Sequence, residues 1–66
     1  MRIVLNGDPV ETAVGSTIAA LLQKLGISRE RVAVELNAAI VPKGDYEKQL
    51  LVDGDKIEIV HFVGGG

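Results

Sequence analysis

No cysteine occurs in this chain of 66 residues, and there is a single histidine. That excludes a disulfide framework, a thiolate metal site and a thiol nucleophile. His61 alone cannot build a histidine-cluster zinc site. Aromatic side chains are almost missing too. Tyr46 and Phe62 are the only two, and there is no tryptophan. Seven basic residues are interspersed with nine acidic ones, for a net charge of −2. The chain therefore lacks both the cationic stripe and the stacking platforms that nucleic-acid binding uses. No apolar run approaches membrane-spanning length, and Met1 leads into a predicted strand rather than a leader. The expectation is a soluble, cytoplasmic protein with no nucleic-acid or membrane partner. A hydrophobic share of 47% excludes disorder. The length allows one small domain, 1–66, with a thin core that buries only about 60% of the unfolded surface.

The residues present are arranged as alternating strand signals around one helix. Met1 to Leu5 alternates, with Ile3 and Leu5 on one face and Arg2 and Val4 on the other. Asn6-Gly7 is a type I′ hairpin signal, because both turn positions need positive φ. Asp8-Pro9 widens or edges that turn. Pro9 has no N–H, which places the returning strand, Val10 to Ala13, at a sheet edge. Thr17 or Ser16 caps a helix over about Thr17 to Leu25. Ile18, Leu21, Leu22 and Leu25 form its apolar stripe, and Gly26 ends it with Ile27 folding back. Ser28 to Arg31 is a polar connector. Val32 to Leu36 is a strand, Asn37-Ala38-Ala39 a turn, and Ile40-Val41 a short strand stopped by Pro42. Lys43 to Lys48 has no clear period and reads as loop with room for one helical turn. Leu50, Leu51 and Val52 dip toward the core. Asp53-Gly54-Asp55 is a turn, and Lys56 to His61 is the last strand, with Ile57 and Ile59 inward.

One helix can cover only one face of one sheet, so the fold class is α+β with the other face open. Mostly polar groups fall on that open face. Val4, Val60 and Phe62 are the apolar exceptions, expected to converge near the chain's end as a partner-docking patch.

Gly64-Gly65-Gly66 follows the last strand. Read as a free end, it is a backbone without Cβ atoms that terminates in an ionised carboxylate. Extended, it reaches roughly 10 Å and threads a slot too narrow for side chains. No catalytic set accompanies it. Ser16 and Ser28 lack a His and carboxylate partner. Asp53 and Asp55 read as turn chemistry, and two carboxylates make no magnesium cage. Gly15 stands alone before its helix, so no phosphate-binding glycine fingerprint is present. A chain without catalytic groups but with a protruding carboxylate reads as a substrate of other enzymes.

The element order, Gly15 with Thr17 and Leu21-Leu22, Val34-Glu35-Leu36-Asn37, Val41-Pro42, Asp53-Gly54-Asp55 before Ile57-Glu58-Ile59, and the closing Val63-Gly64-Gly65-Gly66 resemble the ThiS family. These are sulfur carriers of thiamine biosynthesis with a ubiquitin-like, β-grasp fold. The resemblance runs the full length, although many carriers place alanine where Gly64 stands. It implies one mixed sheet of four to five strands with one helix on one face, and a flexible tail at 64–66. It implies that Gly66 is adenylated by an E1-like, ThiF-like adenylyltransferase that uses ATP and Mg²⁺, with no cofactor bound by the chain itself. A cysteine-persulfide donor then leaves a thiocarboxylate, which passes sulfur to a ThiG-like thiazole synthase. Gly64 and Gly65 serve to thread the tail. Other clients share the chemistry: tRNA thiolation, cysteine synthesis or molybdopterin synthesis. A lysine-linked protein modifier and a non-covalent ubiquitin-like interaction module are the remaining alternatives.

Overall fold

The computed structural model describes residues 1–62. The expectations for Gly64, Gly65 and Gly66 lie outside the described residues.

Strand β1 (Arg2–Leu5) turns at Asn6 and Gly7, whose φ values are 49° and 87°. Both are positive, as a type I′ turn requires. Leu5 stands directly opposite Asp8, so the loop is not widened and β2 runs Asp8–Glu11. The sequence suggested a start at Val10. A two-residue turn brings the chain back into register at once, and Pro9 is tolerated because β2 is the outermost strand.

Helix α1 (Ile18–Leu25) is capped as expected, with the Ala20 amide donating to Thr17 Oγ1 at 3.1 Å. The amides of Ile18 and Ala19 donate to the carbonyls of Gln49 (3.1 Å) and Tyr46 (2.9 Å). Free first-turn donors are thus satisfied by a loop distant in sequence. At the other end Gly26 takes φ 71°, and the Ile27 amide donates to the Leu22 carbonyl at 2.9 Å. This is the Schellman closure. Ile18, Leu21 and Leu22 are buried, but Leu25 is 39% exposed. The stripe stops one turn early because Ile27, brought back by the cap, packs against the core there.

β3 (Val32–Leu36), β4 (Ala39–Val41) and β5 (Lys56–His61) complete a sheet of order β2-β1-β5-β3-β4. The central β1–β5 pair is parallel and the other pairs are antiparallel. The result is the expected mixed sheet, with one helix on one face. The Ser28–Arg31 connector contains a 3-10 turn at Arg29–Arg31. Between β3 and β4 the turn residues Asn37 and Ala38 have φ 50° and 72°. Ala38 thus occupies the left-handed region with a Cβ, which costs roughly 1–2 kcal/mol.

The core joins Ile18, Leu21 and Leu22 of α1 to Ile3, Val32, Val34, Ile57 and Ile59 of the sheet. Tyr46 also belongs to it, at 1% exposure. The loop that carries Tyr46 begins with a 3-10 turn at Lys43–Asp45. Nothing in the local period announces this insertion. Arg29 lies over the Tyr46 ring, 5.4 Å from its centroid, and pairs with Glu47 at 3.2 Å. Of Leu50, Leu51 and Val52, only Leu51 enters the core; its neighbours are 56% and 61% exposed. The Leu51 amide donates to the Ser16 carbonyl, and Thr17 bridges Leu50. The segment is held extended, and side chains of an extended segment alternate.

Candidate functional site

β5 is the last described strand before the glycine run in the sequence, so its anchoring sets the position from which that run continues. β3 pairs with β5 over its whole length, from Leu36 opposite Ile57 to Val32 opposite His61. β1 pairs with it only at Val4–Lys56 and Leu5–Ile57, because the chain turns away at Asn6. The Asn6 side chain continues the ladder. Ile59 N–H donates to Asn6 Oδ1 at 2.7 Å, and Asn6 Nδ2 donates to the Ile59 carbonyl at 3.2 Å. One amide side chain thus substitutes for a missing strand residue. Further on, the Phe62 amide donates to the Arg31 carbonyl at 2.9 Å.

The start of β5 is held by a related device. The Asn37 amide donates to the Lys56 carbonyl at 2.8 Å, and Lys56 N–H donates to Asn37 Oδ1 at 2.9 Å. Asn37 Nδ2 donates to Asp55 Oδ1 at 3.0 Å, and Asp55 Oδ2 accepts from the Val52 amide at 2.8 Å. Asp55 is buried. Asp53 accepts from the Arg2 amide at 2.8 Å. Asp55 closes its turn, as expected of its position, while its bond to Asn37 and the bond of Asp53 to Arg2 tie that turn to segments distant in sequence.

Asn6→Ala is expected to cost about 2–3 kcal/mol, from two lost hydrogen bonds and a side chain unsuited to positive φ. Asn6→Gly keeps the φ and loses only the bonds, so its cost should be smaller. Urea melts give both values, and hydrogen exchange at the Ile59 amide should quicken in each variant.

The open face is the side of the sheet away from α1. Val60 and Phe62 are 57% and 59% exposed there, with the Lys43 ammonium 5.2 Å from the Phe62 ring centroid. Val4 is half-buried and sits beside Pro9 and Lys56. It therefore lies four residues, roughly 13 Å, from Val60 along β5. The sequence placed all three together near the tail. The parallel register separates Val4 from the other two, because β1 meets only the beginning of β5. Ile40 is more exposed than any of them, at 74%. Strand alternation contained that signal, since Ile40 and Val41 cannot both face inward.

The described residues bring together no catalytic set. His61 is exposed and faces Val32 across the ladder. Ser16 Oγ donates to the Ala13 carbonyl at 2.6 Å and lies 3.3 Å from Thr12 Oγ1. Ser28 caps the Arg29–Arg31 turn without a side-chain hydrogen bond. Among the described residues no three His, Cys, Asp or Glu side chains are grouped to hold a metal, and no helix is long and apolar enough to cross a membrane. An open depression beside α1 is lined by Leu22, Gln23, Ile27 and the Arg29–Glu47 ion pair.

The chain is 48% identical over all 66 residues to part of a thiazole synthase of Magnetococcus marinus, and spans about a fifth (20%) of that protein's length. It is 44% identical over 63 residues to the sulfur carrier protein ThiS of Bacillus subtilis, covering 94% of this chain and 96% of that one. The crystal structure of the thiamine biosynthesis protein ThiS from Geobacter metallireducens superimposes with a TM-score of 0.86 at 32% identity, over the whole of both chains. The profile of the ThiS family matches residues 3–66, through the glycine run. The chain belongs to the ThiS family.

Proposed function

We propose that this protein is a sulfur carrier of thiamine biosynthesis and that its reactive group is the carboxylate of Gly66. The observation that carries this reading is the family match, which continues through Gly64, Gly65 and Gly66 in a chain whose described residues assemble no catalyst. The protein is then acted upon and does not itself catalyse.

The chemistry needs activation first, because a carboxylate oxygen is a poor leaving group. An E1-like adenylyltransferase holds ATP and Mg²⁺. A Gly66 carboxylate oxygen attacks the α-phosphorus, the phosphoanhydride bond breaks and pyrophosphate departs. The terminal sulfur of a cysteine persulfide on a partner then attacks the acyl carbon, and AMP leaves. A second thiol cleaves the resulting acyl disulfide, forming a protein disulfide and releasing the thiocarboxylate. This chain has no cysteine to supply either sulfur. The thiocarboxylate is a soft nucleophile suited to donating sulfur in thiazole formation.

The Magnetococcus relative favours that destination over tRNA, cysteine or molybdopterin synthesis. There a segment similar to this entire chain forms part of a protein named thiazole synthase. The exchange takes place where ATP and the partner enzymes are, which we take to be the cytoplasm.

Intact mass spectrometry tests the proposal. The protein is incubated with adenylyltransferase, Mg²⁺–ATP and a persulfide donor. A gain of about 16 Da, sulfur replacing oxygen at Gly66, is expected. An unchanged mass under conditions that convert the Bacillus subtilis carrier would overturn it.

A further inference from the structure

Asparagine followed by glycine is the pairing most open to loss of ammonia. The next backbone nitrogen reaches the side-chain carbon, and glycine brings no Cβ to obstruct the attack. Asn6-Gly7 is such a pair, exposed at the end of β1. The chain's other asparagine, Asn37, is followed by Ala38. Both asparagines are exposed and left-handed, with φ 49° and 50°. The residue that follows is what separates them. In the folded chain both polar atoms of the Asn6 side chain are held by Ile59: Oδ1 accepts from its amide and Nδ2 donates to its carbonyl. Turning the side-chain carbon onto the Gly7 nitrogen takes both atoms off Ile59.

We propose that Asn6 is a deamidation site held closed by β5, and that its conversion loosens that strand. The Gly7 nitrogen, deprotonated by base, attacks the Asn6 side-chain carbon. The bond to the amide nitrogen breaks, and ammonia leaves with the proton that the Gly7 nitrogen gave up. Water then opens the cyclic imide at one of its two carbonyl carbons. One opening gives aspartate and the other isoaspartate, and nothing is oxidised or reduced. Aspartate tolerates the left-handed turn, but its carboxylate has no hydrogen to donate. One oxygen still accepts from the Ile59 amide. The other confronts the Ile59 carbonyl across the 3.2 Å that Nδ2 had bridged. Isoaspartate adds a methylene to the main chain and disturbs the register that sets Leu5 opposite Asp8. β1 pairs with β5 only through Val4 and Leu5, so the Asn6 bonds are a large share of what joins the two strands. The inference needs nothing from the carrier reading, and its failure leaves that reading standing.

The test incubates the chain at mildly alkaline pH, once folded and once unfolded in urea, and follows each asparagine by peptide mapping and mass spectrometry. In urea a gain of about 1 Da is expected at Asn6 well before Asn37. In the folded chain the gain at Asn6 should be about 30-fold slower, the factor that two hydrogen bonds of ordinary net strength supply. Asn6→Asp, the product made directly, should melt about 5–10 °C below the parent, with quicker hydrogen exchange at the Ile59 amide. Equal rates at Asn6 in the folded and unfolded chains overturn the inference, because β5 would then hold nothing closed. Faster conversion of Asn37 than of Asn6 in urea overturns it as well. So does an Asn6→Asp protein that melts with the parent or above it. The rates are read on the parent chain and do not depend on the folding of that variant.

Discussion

Gly65→Val is expected to lower adenylation, read as ATP–pyrophosphate exchange, by about 100-fold or more while leaving the melt of the carrier unchanged. The reason is steric. A glycine run presents only backbone, so an enclosing channel can close on it without meeting a Cβ. Valine adds a branched side chain one residue from the carboxylate proposed to react, and a displacement of about 1 Å there is enough for an effect of this size. Among the described residues the buried apolar core is built between Ile3 and Ile59, so an unchanged melt separates a threading defect from a folding defect. Gly65→Ala should give an intermediate loss, since it adds one methyl group. Normal exchange by the valine variant would remove the threading argument, even if the protein still acquired sulfur.

Tyr46→Ala is expected to have the largest effect on the fold, about 3–5 kcal/mol. A chain of this length has only about 3–10 kcal/mol of stability in total. The melting temperature should fall by roughly 15–30 °C, or folding should be lost. Two consequences of one deletion add here. The ring is a buried member of a small core, and the Arg29 guanidinium stacks over it. The backbone beside it also matters, because the Tyr46 carbonyl accepts from the first turn of α1. Loosening the loop therefore exposes helix donors as well as apolar surface. Tyr46→Phe keeps the ring and should change stability by less than about 1 kcal/mol. Circular dichroism melts distinguish the two variants. A stable Tyr46→Ala protein would show that the loop can close over the cavity.

These predictions divide along the line between local and distant information. Asn6-Gly7, Thr17, the Ile18–Leu21–Leu22 spacing and Gly26 each act through neighbours within a few residues. Their hairpin, cap, helix and stop could be read directly. The inward set of β5 followed from alternation, and the order of elements with the glycine run pointed to the family. Tyr46 was not legible, because a single aromatic in an aperiodic loop carries no direction. Its burial depends on the space left between α1 and the sheet. The bonds from Asn6 to Ile59 and from Asn37 to Lys56 and Asp55 were equally hidden. Each joins residues that are 18 to 53 positions apart.

The one-helix, one-sheet class, the helix ends, the absence of a thiol or a histidine cluster, and the glycine run after an inward-alternating strand are all written in the order of residues. All of these follow from composition or from spacings shorter than a helical turn or two. The early parting of β1 from β5, the distance of Val4 from Val60 and the pairing of Glu35 with Glu58 emerge only when the sheet is assembled. Register between strands is set by the whole sheet and its core, and one strand read alone does not contain it.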